Sequence, residues 1–357
     1  MSPQHQLSTR SRPGGTGRVA PAYVTDVTAS SIGFPADILQ SVLSGLVIVD
    51  KPQGWTSHDV VGRMRRLAGT RKVGHAGTLD PMATGVLVVG VNKATRLLTY
   101  IVGTAKTYDA TIRLGVTTVT DDAEGEPTHT TTAAEVTDAA IHAGIAKLTG
   151  PISQVPSSVS AIKVNGERAY ARVRSGEDVQ LAARPVTIHS FDVHAIRRGQ
   201  HENGPQAGIG YIDVDATVEC SSGTYIRALA RDLGAGLAVG GHLTALRRTS
   251  VGPYSIGQAR TLEQLAEKLD ILDIADAARA LMPVRELTAE EAVELSFGRR
   301  IPASPDGLHT AANPAAAFAP DGTLTALLAD VGRHAKPVLV FPPDPGPGQS
   351  GPKEAAQ

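Results

Sequence analysis

Two stretches with a strict period of two constrain the fold of this chain most. In KTYDATIRLG, polar residues alternate with Tyr108, Ala110, Ile112 and Leu114, and IDVDATVEC repeats the pattern over residues 212–220. Because successive side chains of a strand point to opposite faces of the sheet, each stretch predicts a strand that is buried on one face only. The core is therefore expected to contain half-buried strands.

Three other stretches have the spacing of amphipathic helices. They are SHDVVGRMRRLAG, DAAIHAGIAKLTG and TYIRALARDLG, and Ser57 is the candidate N-cap of the first. Helices and strands follow one another without the regular alternation of βαβ units. The order therefore predicts an α+β fold whose sheet is mainly antiparallel.

Composition limits the class of protein. The 357 residues are 41% hydrophobic and 19% charged with a formal net charge of −1, which is typical of a soluble globular protein. Any surface that binds nucleic acid must therefore be local. A single cysteine, Cys220, excludes an internal disulfide framework, and no apolar run is long enough to span a bilayer. These features predict a cytoplasmic protein without membrane association.

Changes in composition divide the chain into four parts. Residues 1–43 are rich in Ser, Thr, Pro and Gly and are predicted to form a disordered N-terminal extension. Residues 343–357 are predicted to form a disordered tail. Between them, residues 44–284 are expected to form a large domain and residues 285–342 a small one.

Motifs for common cofactors are absent from the sequence. There is no Walker A loop, no well-placed GxGxxG, no GxSxG elbow and no HExxH. TDDAEGE resembles a calcium loop faintly, but Thr120 and Thr131 stand where acids are needed. We therefore expect no cofactor and no metal, and enzymes driven by nucleotides, flavin, nicotinamide or metal are disfavoured.

Four unusual clusters occur in a fixed order: VDKPQGWTSHD, GHAGTLDPMATGVL, KTYDATIRLG and CSSGTYIRALARDLG. Together they resemble the TruB family of tRNA pseudouridine synthases of the bacterial, stand-alone type, and the resemblance extends from Gly45 to Pro283. VPSSVSAIKVNGERAYARVRSG fits the same pattern between them. Four clusters in order are strong evidence where any one alone is weak.

This resemblance implies a fold and a reaction. The fold is the pseudouridine synthase fold, a mixed, mainly antiparallel sheet flanked by helices and loops, followed by a small β-rich domain. The reaction converts uridine to pseudouridine at position 55 in the T loop of tRNA. The family's stand-alone type further implies a monomer that needs neither guide RNA nor cofactor.

Asp80 is the only acid in GHAGTLDPMATGVL, and it lies between Leu79 and Pro81. On the residues alone, it is as well explained as a turn residue as a reagent. The resemblance implies that it is the catalytic aspartate, acting as nucleophile on a flipped-out base. An acid in a closed pocket needs a cationic partner, and the family places Arg227 there. A surface arginine, spaced i and i+4 with Arg231, is the alternative.

The resemblance also assigns the pocket walls. Tyr108 on the residues alone is typical of a core tyrosine, whereas the family implies a ring that stacks on the target uracil and a candidate base. Lys51 resembles a lysine that supports the pocket, Tyr225 lines it, and Leu246 resembles its apolar wall. His75 corresponds to a histidine that packs into the T loop and holds it. A solvated loop lysine and a core leucine remain open as alternatives.

Two groups of basic residues are candidates for contacts to the RNA backbone. The first lies on helix SHDVVGRMRRLAG and the loop after it, with no acid on that face, and the second lies in a loop predicted to be mobile. Charge runs of this kind are also typical of solvated surfaces. The first group comprises Arg63, Arg65, Arg66, Arg71 and Lys72, and the second comprises Lys163, Arg168, Arg172 and Arg174.

The C-terminal part has local signals of its own. Thr288 and Glu291 form a capping box that predicts a short helix, and Asp321-Gly322 predicts a hairpin turn between short strands. Family members carry a small RNA-binding domain here, often of the PUA type, which contacts the acceptor stem. This segment lacks clear PUA landmarks, so we describe it as PUA-like only and leave acceptor-stem recognition open.

Other functions remain open on the sequence. A non-catalytic RNA-binding protein or tRNA chaperone is one, although Asp80, Tyr108 and Arg227 together argue against pure binding. A synthase directed by a separate guide RNA is another, but the sequence shows only disordered tails and no partner-docking segment. A hydrolase with Asp80 as nucleophile is the third, and it lacks the metal or second carboxylate that such enzymes use.

Overall fold

The computed structural model describes residues 44–157 and 181–342, and the backbone of residues 163–164 and 167–168. The predicted extension at residues 1–43 and the predicted tail at residues 343–357 lie outside the described part. Within that part, no helix has the length and apolar character needed to cross a membrane.

Seven α-helices occur among the described residues, and they include the three predicted from spacing. They are α1 Ser57–Leu67, α2 Leu98–Val102, α3 Asp138–Leu148, α4 Ile226–Gly236, α5 Leu262–Glu267, α6 Ile274–Leu281 and α7 Ala289–Ser296. Two short 3₁₀ turns span Asn92–Leu97 and Ile256–Gln258.

The predicted N-cap of α1 is wrong by one residue. Thr56 is the N-cap, because its hydroxyl accepts from Asp59 N at 3.1 Å while Asp59 Oδ2 accepts from Thr56 N at 2.9 Å. Both Thr56 and Ser57 suit a cap, and the acid three residues after Thr56 decides between them. Ser57 instead uses its hydroxyl to accept from Leu79 N at 2.9 Å, which ties α1 to the segment before Asp80.

Nineteen strands are assigned in the described part. They are β1 Gly45–Lys51, β2 Val73–Ala76, β3 Thr84–Val91, β4 Lys106–Leu114, β5 Val116–Thr118, β6 Pro127–Thr130, β7 Gly150–Gln154, β8 Lys163–Val164, β9 Glu167–Arg168, β10 Arg184–Gln200, β11 Gly210–Cys220, β12 Gly241–Val251, β13 Tyr254–Ser255, β14 Leu272–Asp273, β15 Val284–Glu286, β16 Ile301–Pro302, β17 Ala315–Phe318, β18 Leu324–Val331 and β19 His334–Val340.

The main sheet confirms the predicted α+β class. Its strand order is β14-β1-β3-β12-β4-β11-β10-β7, with β2 and β13 added to β3 and β12. All of its strand pairs are antiparallel except β12 with β3. The two alternating stretches form β4 and β11 at its centre, where Tyr108 pairs with Val218 on one side and with Arg248 on the other.

One face of this sheet packs against α3 and α4. Their apolar stripes, which include Ile141, Leu229 and Leu233, join one core cluster with Tyr108 and Ile112 of β4. The opposite face carries polar side chains in ion pairs, for example Arg113 with Asp213 at 2.7 Å. The predicted half-burial of β4 and β11 is therefore confirmed.

The C-terminal part forms a second sheet of five strands in the order β15-β17-β18-β19-β16, which confirms a small β-rich unit. The capping box of Thr288 and Glu291 begins α7 as predicted. The predicted turn at Asp321-Gly322 joins β17 to β18, and Gly322 adopts φ 84° there, a conformation that favours glycine.

The two sheets share a hydrophobic cluster. Ile48 and Val88 of the main sheet and Phe318 and Leu327 of the small sheet belong to the same buried group. Lys93 Nζ also donates to Pro342 O at 2.7 Å across this junction. The division between residues 284 and 285 stays a prediction, but the segments on either side of it are joined by a common core.

Replacing Phe318 by Ala is therefore expected to destabilise the whole chain. Phe318 is fully buried in the shared cluster, and removing a buried phenyl ring costs about 3–5 kcal/mol. Phe297→Ala is the matched control, because this ring is 68% exposed and surface substitutions stay within about 0.5 kcal/mol. Denaturant unfolding should show one transition that shifts only for Phe318→Ala. Two transitions, with only one shifted, would contradict a common core.

Candidate active site

A cavity of about 300 Å³ opens beside the centre of the main sheet. Five residues singled out in the sequence line it together, although they come from four separate segments. They are Asp80, Tyr108, Tyr225, Arg227 and Leu246. Lys51 and His75 are not among the lining residues. Lys51 supports a turn behind the cavity, and His75 lies on β2.

Lys51 fixes the turn that carries Asp80. Its side chain is fully buried, and its ammonium donates to Trp55 O at 2.7 Å, Pro52 O at 3.0 Å and Pro81 O at 3.3 Å. Burial lowers the pKa of Lys51 to about 8, and the charge of Asp80 opposes this shift. The alternative of a solvated loop lysine is therefore wrong.

Arg227 contacts Asp80 from the first turn of α4. Its Nε lies 3.0 Å from Asp80 Oδ2, and its side chain is 6% exposed whereas that of Asp80 is 37% exposed. The alternative of a surface arginine is therefore wrong. Asp80 has open space on the cavity side, while the guanidinium behind it offsets its charge.

A second acid that the sequence did not single out holds Arg227. Asp122 Oδ2 lies 3.4 Å from Arg227 Nη1, and the same nitrogen donates to Thr120 O at 2.8 Å. Asp122 is itself fixed, since its Oδ1 accepts from Thr120 Oγ1 at 2.5 Å and from Glu124 N at 3.0 Å. The TDDAEGE loop, rejected as a calcium loop, thus orients the arginine that contacts Asp80.

The same loop also holds the next arginine of α4. Asp121 Oδ2 accepts from Ser157 Oγ at 2.7 Å and lies 3.4 Å from Arg231 Nη1. Burial raises the pKa of Asp121, and Ser157 and Arg231 oppose the shift. Because both arginines are tied to one loop, α4 has a defined orientation at the cavity.

Arg248 positions the segment before Asp80. Its side chain is almost fully buried and donates to Val86 O at 2.7 Å, Gly77 O at 3.0 Å and Thr78 O at 3.4 Å. Gly85 permits this arrangement, because a Cβ there would lie 2.2 Å from Arg248 O. The only sequence signal for this role is the doubled arginine of ALRRT, in which the resemblance assigns a role to the leucine alone.

Tyr108 presents a neutral phenol to the cavity. The residue is 8% exposed, and burial raises the pKa of its hydroxyl while the charge of Arg248 opposes the shift. Tyr225 is held at the N-cap position of α4, where Gln154 Nε2 donates to its carbonyl at 3.1 Å and Gln154 Oε1 accepts from its amide at 2.8 Å. Leu246 is buried beside them.

His75 lies on β2 outside the cavity. Its ring meets that of His58 edge to face, with the ring centroids 5.9 Å apart. Burial, and then the charge of His58, lower the pKa of His75. His75 is therefore a neutral imidazole that lies apart from Asp80 and Tyr108.

The structure places part of the first basic group at the surface. Arg66, Arg71 and Lys72 are exposed, whereas Arg63 is half-buried. Hydrogen bonds from its own backbone and from Thr261 lower the pKa of Glu263 on α5, and the charge of Arg63 adds to this shift. The face of α1 that the sequence predicts to be free of acids therefore lies near a carboxylate of another helix.

The second basic group is only partly described. Lys163 and Arg168 pair across β8 and β9, and their side chains lie outside the described part. Arg172 and Arg174 lie wholly outside it. Among the residues that the structure describes, no group of three His, Cys, Asp or Glu side chains is arranged to hold a metal ion.

Three family models match consecutive parts of the chain. The model for the N-terminal domain of the TruB family pseudouridylate synthases matches residues 65–226. Those for the C-terminal domain of tRNA pseudouridylate synthase B and the C-terminal part of tRNA pseudouridine synthase II match residues 227–288 and 282–342. The chain belongs to the TruB family. It is thereby an enzyme of the isomerase class, as the sequence clusters indicated.

Individual relatives agree with this family. The chain is 74% identical over 307 residues to tRNA pseudouridine synthase B of Arthrobacter sp. (strain FB24), which covers 85% of this chain and 98% of the relative. It is 59% identical to tRNA pseudouridine synthase B of Thermobifida fusca (strain YX), covering 83% of this chain and 98% of the relative.

A solved structure shares the fold of this chain. The structure of a Cbf5-Nop10-Gar1 complex superposes with a TM-score of 0.61 at 24% identity, and the match covers 84% of this chain and 83% of that one. At this identity the likeness shows the fold alone, and it confirms the predicted pseudouridine synthase fold.

Proposed function

We propose that the chain converts uridine to pseudouridine at position 55 in the T loop of tRNA, as a monomer and without a guide RNA. The observation that carries this proposal is the contact of Asp80 Oδ2 with Arg227 Nε at 3.0 Å, at the wall of a cavity that Tyr108 also lines. The names of the relatives support tRNA as the substrate.

The size of the cavity suits one nucleotide taken out of a helix. Its volume of about 300 Å³ is at the lower end of small-molecule sites. Extruding a base costs a few kcal/mol, which is least for a nucleotide in a loop. A T-loop uridine therefore enters the cavity at a lower cost than a base-paired one.

The chemistry needs an ionised carboxylate and no redox step or phosphate energy. Asp80 is the nucleophile, because its side chain faces open space on a turn that Lys51 and Ser57 hold in place. Arg227 orients that carboxylate. Tyr108 stacks on the uracil, and the raised pKa of its phenol makes a role as general base the less favoured one.

The remaining candidates bind rather than react. Tyr225 and Leu246 form the walls around the uracil, and Lys51 supports the turn from behind. His75 holds the T loop, which suits its place outside the cavity. Arg63, Arg66, Arg71, Lys72, Lys163 and Arg168 are proposed contacts to the RNA backbone.

Replacing Arg71 by Ala is expected to weaken tRNA binding and to reduce the slope of log affinity against log salt by about 1, because each phosphate contact releases counterions. Lys147→Ala is the control, since Lys147 is also exposed, on α3, but belongs to neither basic group. Filter binding over a range of salt concentrations measures the affinity and the salt slope of each variant. An unchanged slope for Arg71→Ala would remove it from the interface.

Tritium release from a tRNA transcript labelled at uridine C5 tests the function. We expect near-stoichiometric release of the T-loop label with no cofactor or guide RNA, and none of it from a transcript with cytidine at position 55. Bound tRNA without release would favour a chaperone. Release that depends on an added RNA would favour a guided synthase.

A further inference from the structure

A buried lysine that neither sequence nor relatives assign lines the same cavity. Lys106 is 6% exposed, and its ammonium donates to Thr104 O at 2.5 Å and Val102 O at 2.6 Å. These two carbonyls use two of its three N–H groups. The third remains for a group that enters the cavity.

Burial destabilises the charged form of Lys106. No carboxylate within residues 44–157 and 181–342 forms a salt bridge with it. Its charged or titratable neighbours are Arg248 on β12 and Cys220 on β11, and Tyr108 of its own strand lines the same cavity. Burial, and then the like charge of Arg248, lower the pKa of Lys106 to about 8. A buried cation with a perturbed pKa at the wall of a cavity is a candidate functional group.

Strand register places Lys106 opposite the acid end of the cavity. Lys106 and Tyr108 are on the same face of β4, about 7 Å apart. Farther along β4, beyond Tyr108, Ile112 pairs with Leu243 of β12. Leu243 in turn forms a β-bridge with Asp122, the acid that contacts Arg227. The order along the strand is therefore Lys106, then Tyr108, then the Asp80–Arg227 pair.

A uracil held in this order presents a carbonyl oxygen to Lys106. With the ribose C1′ at Asp80 and the ring over Tyr108, the ring atom farthest from C1′ is C4, which carries O4. The reaction turns the ring about its N3–C6 axis, which exchanges N1 with C5 and C4 with C2. After the turn, O2 occupies the place of O4.

We propose that the ammonium of Lys106 binds O4 of the target uracil before the turn and O2 after it, and stabilises the negative charge of the detached base. This inference rests on the proposed function. Asp80 Oδ bonds C1′ as the C1′–N1 bond breaks, and the electron pair of that bond stays on the uracil, where both carbonyl oxygens share it. C5 then bonds C1′ as the bond from Asp80 to C1′ breaks, which restores the carboxylate. The C5 proton leaves to solvent, and N1 takes up a proton from solvent. Lys106 keeps its proton throughout and acts as a fixed cation.

Single-turnover tritium release at saturating enzyme tests the role of the side chain. Lys106→Met is expected to lower the rate about 100-fold with tRNA affinity little changed, and Lys147→Met serves as control. An unchanged rate with a lower melting temperature would overturn the proposal. So would weaker binding with a smaller salt slope and a normal saturated rate, which would assign Lys106 to a phosphate.

The pH profile tests the charge. The wild-type rate should fall as pH rises through about 8, since the ammonium is lost there. In Lys106→Arg the guanidinium stays protonated, so this alkaline limb should disappear even if the absolute rate is lower. A limb that persists would belong to Lys51, whose pKa is also lowered to about 8, and would overturn the assignment.

Thio-substituted substrates test the contact itself. Sulfur is a weak acceptor, so 4-thiouridine at the target should slow the wild type but add little to the defect of Lys106→Met. Equal slowing in both would show that O4 does not meet Lys106. A wild type that releases no tritium from unmodified tRNA would refute the proposed function instead, so the two failures are distinguishable.

Discussion

Replacing Asp80 by Asn is expected to reduce tritium release from labelled tRNA by about 10⁴-fold or more, which is the loss typical of removing a nucleophile. Asn has nearly the size and shape of Asp but lacks the charge and the nucleophilic oxygen. Arg227 keeps its contacts with Asp122 and Thr120, and the turn keeps its contact with Lys51. The fold and the affinity for tRNA should therefore survive.

The control for this variant is Asp138→Asn. Asp138 is an exposed acid at the start of α3 that pairs with Arg198 at 2.6 Å and is not among the residues that line the cavity. Its rate should equal that of the wild type. Release by Asp80→Asn at a rate near that of the wild type would show that the carboxylate is a turn residue only. Loss of both release and binding would make Asp80 part of the RNA interface.

The fold was predictable where its signal is local. The period of two over KTYDATIRLG predicts β4, and helical spacing predicts α1, α3 and α4, because these patterns lie within one element. The N-cap of α1 was open to the same kind of local prediction, because Asp59 stands three residues after Thr56 and completes a capping box with it. The bond of Ser57 to Leu79, 22 residues away, is a tertiary contact that no local pattern predicts.

The site was predictable only where a cluster marks it. Asp80, Tyr108 and Arg227 lie in distinctive stretches, whereas Asp122, Arg248 and Lys106 gain their roles from contacts made on folding. Arg248 reaches a carbonyl 171 residues earlier, and Arg227 one 107 residues earlier. Nothing in the local sequence around an arginine identifies a distant carbonyl as its partner.

Replacing Arg227 by Met is expected to lower the free energy of unfolding by about 3 kcal/mol and to abolish activity. The side chain of Asp122 is 3% exposed, and without the guanidinium it is a buried charge that lacks its cation, a change that costs about 3–5 kcal/mol. Arg231→Met is the matched control one turn along α4, because that side chain is 28% exposed and its acids are less buried. Denaturant unfolding and tritium release measure the two effects.

Adding Asp122→Asn to Arg227→Met separates stability from catalysis. Removing the second charge should recover part of the lost unfolding free energy, because the buried site then holds no unpaired ion. Activity should stay absent, since nothing then orients the carboxylate of Asp80. The unfolding free energy of Arg227→Lys should lie between those of the wild type and Arg227→Met. It keeps a positive charge beside Asp122, but one ammonium cannot reach Asp80, Asp122 and Thr120 O together as the guanidinium of Arg227 does. Recovery of activity in the double variant would mean that Arg227 serves the fold alone.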